Sequence, residues 1–227
     1  MNQPLGACEF CRELAPAPDA GADTNLRTPL GARIVLDRHG FVVVPSLGQI
    51  VDGSLMLVRK QHVERFADMR AAELDAAAAI VQLLRSRSAH PLILFEHGAK
   101  TSTGGSCGIY HAHAHLVPLS INPHALVSQL AHGIPQSASL RLQEDWLRLK
   151  PSDEYVLLDN GATRWCLEVN AANRSEFPSQ FFRRRLASFF VGVPWDWRGY
   201  PQSEPAVVDT YHSWISTLSG VRESASL

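Results

Sequence analysis

The sequence predicts an α+β fold in which an antiparallel sheet carries one long helix. Three observations lead to this prediction: short apolar runs come in hairpin-like pairs, one segment has helical periodicity, and two further apolar runs follow it. The resulting order, three strands, a helix and two strands, is typical of an α+β domain with an antiparallel sheet.

The first two strands are expected to form a hairpin. Apolar runs at 34–36 and 41–44 flank a polar turn signal at 37–40, Asp-Arg-His-Gly. A third strand is predicted in GSLMLVRKQH, after a loop that contains Asp52 and Gly53.

The segment 68–88 is predicted to be a helix, because apolar residues such as Leu74, Val81 and Leu84 recur at helical spacing. Pro91 precedes the fourth predicted strand, LILFEHG. A loop rich in Gly, Ser and Thr leads to the fifth, AHAHLVPL.

The pattern changes from about residue 121. A short helix is expected in INPHALVSQL, a hairpin in EYVLLDN and TRWCLEVN around Asn160 and Gly161, a helix in SQFFRRRLASFF capped by Ser179, and a last helix in AVVDTYHSWISTL. We therefore expect a domain over 1–122 and a C-terminal extension over 123–227.

Composition excludes some classes of partner. The chain has 227 residues, 45% of them apolar, and a formal charge of -1, which argues against a nucleic-acid or membrane-surface binder. Neither a signal-peptide pattern nor a long apolar stretch is present, so a cytoplasmic protein is expected. The pair Cys8 and Cys11 indicates a metal clip or a redox pair rather than a disulfide scaffold.

The segment GIYHAHAHLVPL places His111, His113 and His115 at strict alternation. On an extended strand these three side chains share one face, and the small residues between them share the other. Burying three imidazoles without partners is costly, so this face is expected to border a cleft. Two chemistries suit it: metal ligation, and nucleophilic attack on phosphorus by a neutral imidazole.

HAHAHL followed by VPL resembles the signature of the histidine triad family of nucleotide hydrolases and transferases. CEFC at 8–11 and GSLMLVRKQHVERF at 53–66 resemble flanking segments of that family, so the likeness covers about residues 5 to 120. The resemblance implies that His113 is a covalent nucleophile, that His115 lies against the transferred phosphoryl or leaving group, and that His111 completes the catalytic triad.

The resemblance also implies a structural zinc ion. Bacterial members of the family bind zinc through residues that correspond to Cys8, Cys11, His62 and His111. Two thiolates and two imidazoles make a closed tetrahedral set with no position for a reacting water.

Two parts of the family pattern are altered. Ser54 stands where many members have His, and SCGI replaces the phosphate loop Gly-Gln-Ser. We expect Ser106 and the backbone amides of Gly104, Gly105 and Gly108 to hold the phosphate instead. Glu96 or its neighbour His97 is expected to face the nucleotide.

The extension is open to two interpretations. Ser179 and Gln180 could offer helix N-terminal amides to a phosphate, or the helix is an ordinary amphipathic one. The strand pair before this helix and PWDWR after it resemble the C-terminal part of dinucleoside polyphosphate phosphorylases. This resemblance implies a degenerate second half that makes the chain a monomer. The alternative is a homodimer.

Three functions follow. The first is hydrolysis at the α-phosphate of a dinucleoside polyphosphate or related conjugate through a nucleotidyl-histidine. The second is transfer of the nucleotidyl group to phosphate or another acceptor. The third is a nucleotide-binding module without catalysis.

Overall fold

Seven antiparallel strands form one sheet in a computed structural model that describes residues 8–15, 30–101, 108–119, 123–200 and 205–219. The strand order is β1-β2-β3-β5-β4-β6-β7. The strands are β1 (Leu36–Arg38), β2 (Phe41–Pro45), β3 (Leu55–Arg59), β4 (Leu92–Ala99), β5 (His113–Pro118), β6 (Glu154–Asp159) and β7 (Arg164–Glu168). The predicted α+β class and antiparallel sheet are confirmed.

Six α-helices pack on this sheet among the residues described. They are α1 (Glu9–Leu14), α2 (Ala71–Arg87), α3 (Pro123–Leu130), α4 (Leu142–Leu149), α5 (Phe181–Ala187) and α6 (Pro205–Ser219). The predicted helix at 68–88 is α2, whose first turn is closed by Glu73 as its carboxylate accepts from the Arg70 backbone N–H at 2.9 Å. Helix α4 is not among the sequence predictions.

The first hairpin forms as expected, with β1 starting at Leu36 rather than at Ile34. Its turn places both His39 and Gly40 at positive φ, 53° and 77°. A glycine at the second position adopts that conformation without steric cost, which explains the tight reversal between the strands.

The two faces of the sheet are covered by different helices. Ala114 and Leu116 of β5 point to the face that packs against α2, α4 and α6. The opposite face, to which Phe95 and Val117 point, is covered by α3 and α5 and at one end by α1. Alternation along β5 therefore places His113 and His115 on the side of α1 and α5.

The sheet continues from the first half of the chain into the second. Strand β6 pairs with β4 over six residue pairs, from Leu94 with Asp159 to Ala99 with Glu154. Gly98 lies under the Tyr155 ring, where a Cβ atom would meet ring atoms at 2.4 Å. The division at residue 122 stays a prediction.

No helix in the described parts of the chain combines the length and the apolar character needed to cross a membrane.

Candidate active site and metal cluster

Only the second and third histidines of the segment lie in the sheet, whereas the alternation predicts all three. Strand β5 begins at His113, so His111 lies before it. The backbone at residue 112 leaves the regular ladder, because the Ala112 N–H donates to the carbonyl of Val63 at 2.7 Å. The prediction that the three histidines share one strand face is therefore corrected to two histidines on the strand and one beside it.

His113 is held with one ring nitrogen toward the backbone. Its Nδ1 lies 2.7 Å from the carbonyl oxygen of His111, which can only accept, so Nδ1 carries the proton and donates. The Nε2 lone pair is then available for chemistry. Burial lowers the pKa of His113, and this favours the neutral ring.

His115 lies next to His113 on the same strand face. The two ring centroids are 5.4 Å apart, and the His115 ring stacks on Phe95 at 4.9 Å. Burial, and then the charges of His113 and Arg183, lower its pKa well below the usual value. Both imidazoles are thus neutral near physiological pH.

A mostly apolar pocket opens over these two rings. The residues that line it come from both halves of the chain: Glu9, Phe10, Glu13, Arg33, Leu47, Met56, Phe95, His97, Ile109, His113, His115, Gln180, Phe181, Phe182, Arg183 and Trp197. Its mixture of aromatic and polar groups is typical of a small-molecule site.

The C-terminal segment closes one side of this pocket. Arg183 is buried there, and its guanidinium donates to the carbonyls of Trp195 at 2.9 Å and Gly48 at 2.7 Å. The Phe182 ring lies against Phe95, 5.1 Å between centroids. Residues far from the triad in sequence therefore shape the cavity.

The start of α5 differs from the prediction. The helix begins at Phe181, its N-cap is Gln180 at φ 57°, and no side chain caps it. Ser179 is thus not the cap and is not among the pocket residues, whereas Gln180 lines the pocket. Because Gln180 has a left-handed backbone conformation, the N-cap lies one residue later than the predicted position at Ser179.

Strand alternation also decides which polar residue of β4 faces the pocket. His97 lines it, and Glu96 points to the opposite face. There the Glu96 carboxylate accepts from Tyr155 Oη at 2.7 Å, Trp146 Nε1 at 2.7 Å and the Phe66 N–H at 3.1 Å. The expectation for Glu96 is therefore corrected: Glu96 does not line the pocket, whereas His97, the alternative at that strand end, does.

The predicted phosphate loop is only partly described. Ser106, Gly104 and Gly105 lie outside the described residues. Gly108 is exposed, has a φ of 81°, and is not among the residues that line the pocket. Its role in phosphate binding stays a prediction.

Four predicted metal ligands meet beside the pocket. One ligand atom from each of Cys8, Cys11, His62 and His111 lies within 4.8 Å of the other three. Cys8 Sγ and His62 Nδ1 each lie 3.3 Å from His111 Nδ1, and Cys11 Sγ lies 3.3 Å from His62 Nδ1. Tetrahedral zinc with bonds of about 2.0 to 2.3 Å separates its ligand atoms by roughly 3.3 to 3.8 Å, so this donor set fits such an ion.

Local structure orients the ligands of this cluster. Cys8 and Cys11 are one helical turn apart at the start of α1, so their thiols point to the same side. His111 Nε2 donates to the carbonyl of Arg59 at 2.5 Å, which leaves Nδ1 for the cluster. Burial, followed by the neighbouring Cys8, raises the pKa of the Cys11 thiol to about 12.

Several pocket residues are absent from the sequence predictions. Phe10 lies within CEFC and Trp197 within PWDWR, but neither aromatic residue was singled out from the sequence. Arg33, whose Nη1 donates to the Pro45 carbonyl, lies in a short 3-10 turn, Leu30–Arg33.

Comparison with known proteins gives matches among solved structures alone. No family model and no curated protein matches the chain. A hypothetical histidine triad nucleotide-binding protein of Sulfolobus tokodaii matches at 18% identity and a TM-score of 0.32, over 37% of this chain and 58% of the archaeal one. The match thus spans less than two thirds of that protein.

Two further structures show similar figures. A Hit-like protein of Bartonella henselae matches at 14% identity and a TM-score of 0.31, covering 40% of this chain and 70% of its own. Yeast Ap4A phosphorylase in complex with AMP matches at 12% identity and a TM-score of 0.36, covering 61% and 64%. The names of the Sulfolobus and Bartonella proteins thus refer to the histidine triad family, which the sequence also resembles.

Proposed function

We propose that the protein is a nucleotide-processing enzyme in which His113 bonds covalently to the α-phosphorus of its substrate. The observation that carries this proposal is the 2.7 Å bond from His113 Nδ1 to the His111 carbonyl. It fixes the tautomer, so the free lone pair is on Nε2, and His113 lines the pocket.

The reaction divides into two displacements. The Nε2 lone pair forms a bond to phosphorus, the bond from phosphorus to the leaving group breaks, and that group departs with the electron pair. Water or another acceptor then forms a new bond to phosphorus, and the pair of the phosphorus–nitrogen bond returns to Nε2. His115, next to His113, is placed to contact the phosphoryl oxygens or the leaving group.

The preferred activity is hydrolysis of a dinucleoside polyphosphate or a related conjugate. Transfer to inorganic phosphate uses the same intermediate and differs in the second step alone. A nucleotide-binding module without catalysis is the remaining candidate. Binding alone does not require two neutral imidazoles side by side in the pocket, whereas a covalent mechanism does.

The four-residue cluster is proposed to hold a structural zinc ion. Cys8, Cys11, His62 and His111 would bind it, and the ion would join α1 to the segment before β5. The chemistry that it supplies is cross-linking of the fold, with every ligand position taken by protein.

We also propose that the extension replaces a second subunit. Without it, β4 would be the outer strand of β1-β2-β3-β5-β4, and β6 pairs along that edge. The same extension adds Phe182 and Trp197 to the pocket. A homodimer is the alternative.

The covalent step is tested by trapping. Protein mixed with diadenosine tetraphosphate labelled at the α-phosphates is denatured and analysed for retained label. We expect label on the wild type and on His132→Asn, a control at an exposed histidine outside the pocket, and none on His113→Asn. Retained label or near-normal turnover in His113→Asn overturns the assignment. Inorganic phosphate in the assay separates hydrolysis, which yields the monophosphate, from phosphorolysis, which yields the diphosphate.

A further inference from the structure

His97 and Glu154 form a buried pair at the edge of the pocket. The His97 side chain is 7% exposed and that of Glu154 is fully buried, with 2.9 Å between His97 Nε2 and Glu154 Oε1. The second carboxylate oxygen of Glu154 lies 2.7 Å from the guanidinium of Arg174. The carboxylate is therefore fixed from both sides, and it orients the imidazole.

The pair defines which nitrogen of His97 is free. A carboxylate accepts, so Nε2 carries the proton and Nδ1 carries the lone pair. Nδ1 is buried and has no hydrogen-bond partner among the described residues. An unpartnered acceptor in a buried position is costly, and a ligand group that donates a proton to it removes this cost.

The sheet places His97 on the same face as the proposed nucleophile. Strands β4 and β5 pair through Phe95 and His115. Two residues further along each strand, His97 and His113 lie on the same face of the sheet as Phe95 and His115. Both histidines line the pocket.

We propose that His97 is the general base of the second displacement, with Glu154 as the residue that positions it. This inference rests on the proposed covalent step at His113. Once His113 Nε2 is bonded to phosphorus and Nδ1 donates to the His111 carbonyl, that ring cannot accept a proton. His97 Nδ1 takes the proton of the attacking water as the water oxygen bonds to phosphorus, the bond from phosphorus to His113 Nε2 breaks, and its electron pair returns to Nε2. The Glu154 carboxylate stabilises the imidazolium that forms on His97.

The carboxylate comes from the C-terminal segment. Glu154 is the first residue of β6, paired with Ala99 of β4, so the second half of the chain supplies one member of the pair. That segment thus takes part in the second displacement as well as shaping the pocket.

Rapid-quench kinetics with α-labelled diadenosine tetraphosphate test the proposal on the full-length protein. In His97→Gln and Glu154→Gln we expect label to form within about threefold of the wild-type rate and to decay about 10² to 10³ times more slowly. Glu168→Gln, at an exposed residue of β7, is the control and should behave as the wild type. Thermal unfolding checks that each variant is folded. If Glu154→Gln does not fold, the kinetics of His97→Gln alone test the proposal.

Fluoride separates base catalysis from simple positioning. Fluoride brings no proton to remove, so as an acceptor it should restore decay of the label in His97→Gln to within about tenfold of the wild type. Decay at the wild-type rate in His97→Gln, or no effect of fluoride, overturns this inference while the covalent step stands. Absence of label from the wild type overturns the covalent step and this inference together.

Discussion

The Phe10 ring packs edge-on against the His113 imidazole, with 5.3 Å between their centroids. Phe10 lies between the two cysteines of α1 and also meets the His111 ring at 5.6 Å. The cluster of cysteines and histidines therefore holds in place a helix that covers the proposed nucleophile.

Removal of the metal should weaken the packing of α1 over His113. We expect purified protein to hold one zinc ion per chain, and Cys11→Ser to lose it, with a lower melting temperature and a reduced kcat. Elemental analysis, thermal unfolding and steady-state kinetics measure these effects. Cys166→Ala, at a buried cysteine outside the cluster, should keep the metal. Full zinc content in Cys11→Ser would rule out this ligand set.

His115 should matter most for poor leaving groups. Since it lies beside His113 in the pocket and its neutral ring can donate an N–H hydrogen bond to the departing oxygen, we expect His115→Ala to slow release of a leaving group of high pKa by about 10² to 10³. A p-nitrophenyl ester of the same nucleotide, whose leaving group needs no protonation, should be affected far less. Equal losses for both substrates would place His115 away from the leaving group.

Trp197 is expected to contribute to binding of the nucleotide. Its side chain lines the pocket, and stacking of a base on an aromatic ring is worth about 1 to 3 kcal/mol. Trp197→Ala should therefore raise KM by about 5- to 150-fold and leave kcat within a few fold. Val208→Ala, at an exposed position of α6, is the control. An unchanged KM would show that the base binds elsewhere.

Glu96 should give the fold a distinctive pH dependence. Burial raises its pKa to about 7, although hydrogen bonds from Tyr155, Phe66 and Trp146 and the charge of Arg65 oppose this. The folded state then holds the proton more tightly than the unfolded state, so its contribution to stability is complete below about pH 4.5 and is lost as the pH rises through about 7.

Glu96→Gln imitates the protonated form at every pH. We expect the stability difference between the wild type and this variant to change by up to about 3 kcal/mol between pH 4.5 and pH 8, in favour of the variant at high pH. Chemical denaturation at a series of pH values measures the difference. A constant difference would mean that Glu96 has the same charge in both states.

Local patterns were sufficient to predict most elements of the sheet and the long helix. Short apolar runs bounded by turn residues identified the strands, and Leu74, Val81 and Leu84 identified α2. Helix α4 was missed although Leu142, Trp146 and Leu149 have helical spacing, because its polar residues are as numerous as its apolar ones.

The site was predictable only where its residues form a motif. The four metal ligands and the pair on β5 follow from short sequence signals. The choice between Glu96 and His97 depends on which side chains of β4 lie on the same face of the sheet as His115. The pairing of Phe95 with His115 decides this, because His97 shares the face of Phe95 and Glu96 does not. Phe182 and Trp197 reach the pocket through packing of α5 and the segment after it, which no local spacing encodes.

The pairing of β6 with β4 also determines where the chain can be divided. A polypeptide that ends near residue 122 would leave one side of β4 with open backbone donors and acceptors and would uncover Phe95. Exposed edge strands pair with other chains, so the shortened protein should self-associate or precipitate instead of functioning as an independent catalytic unit.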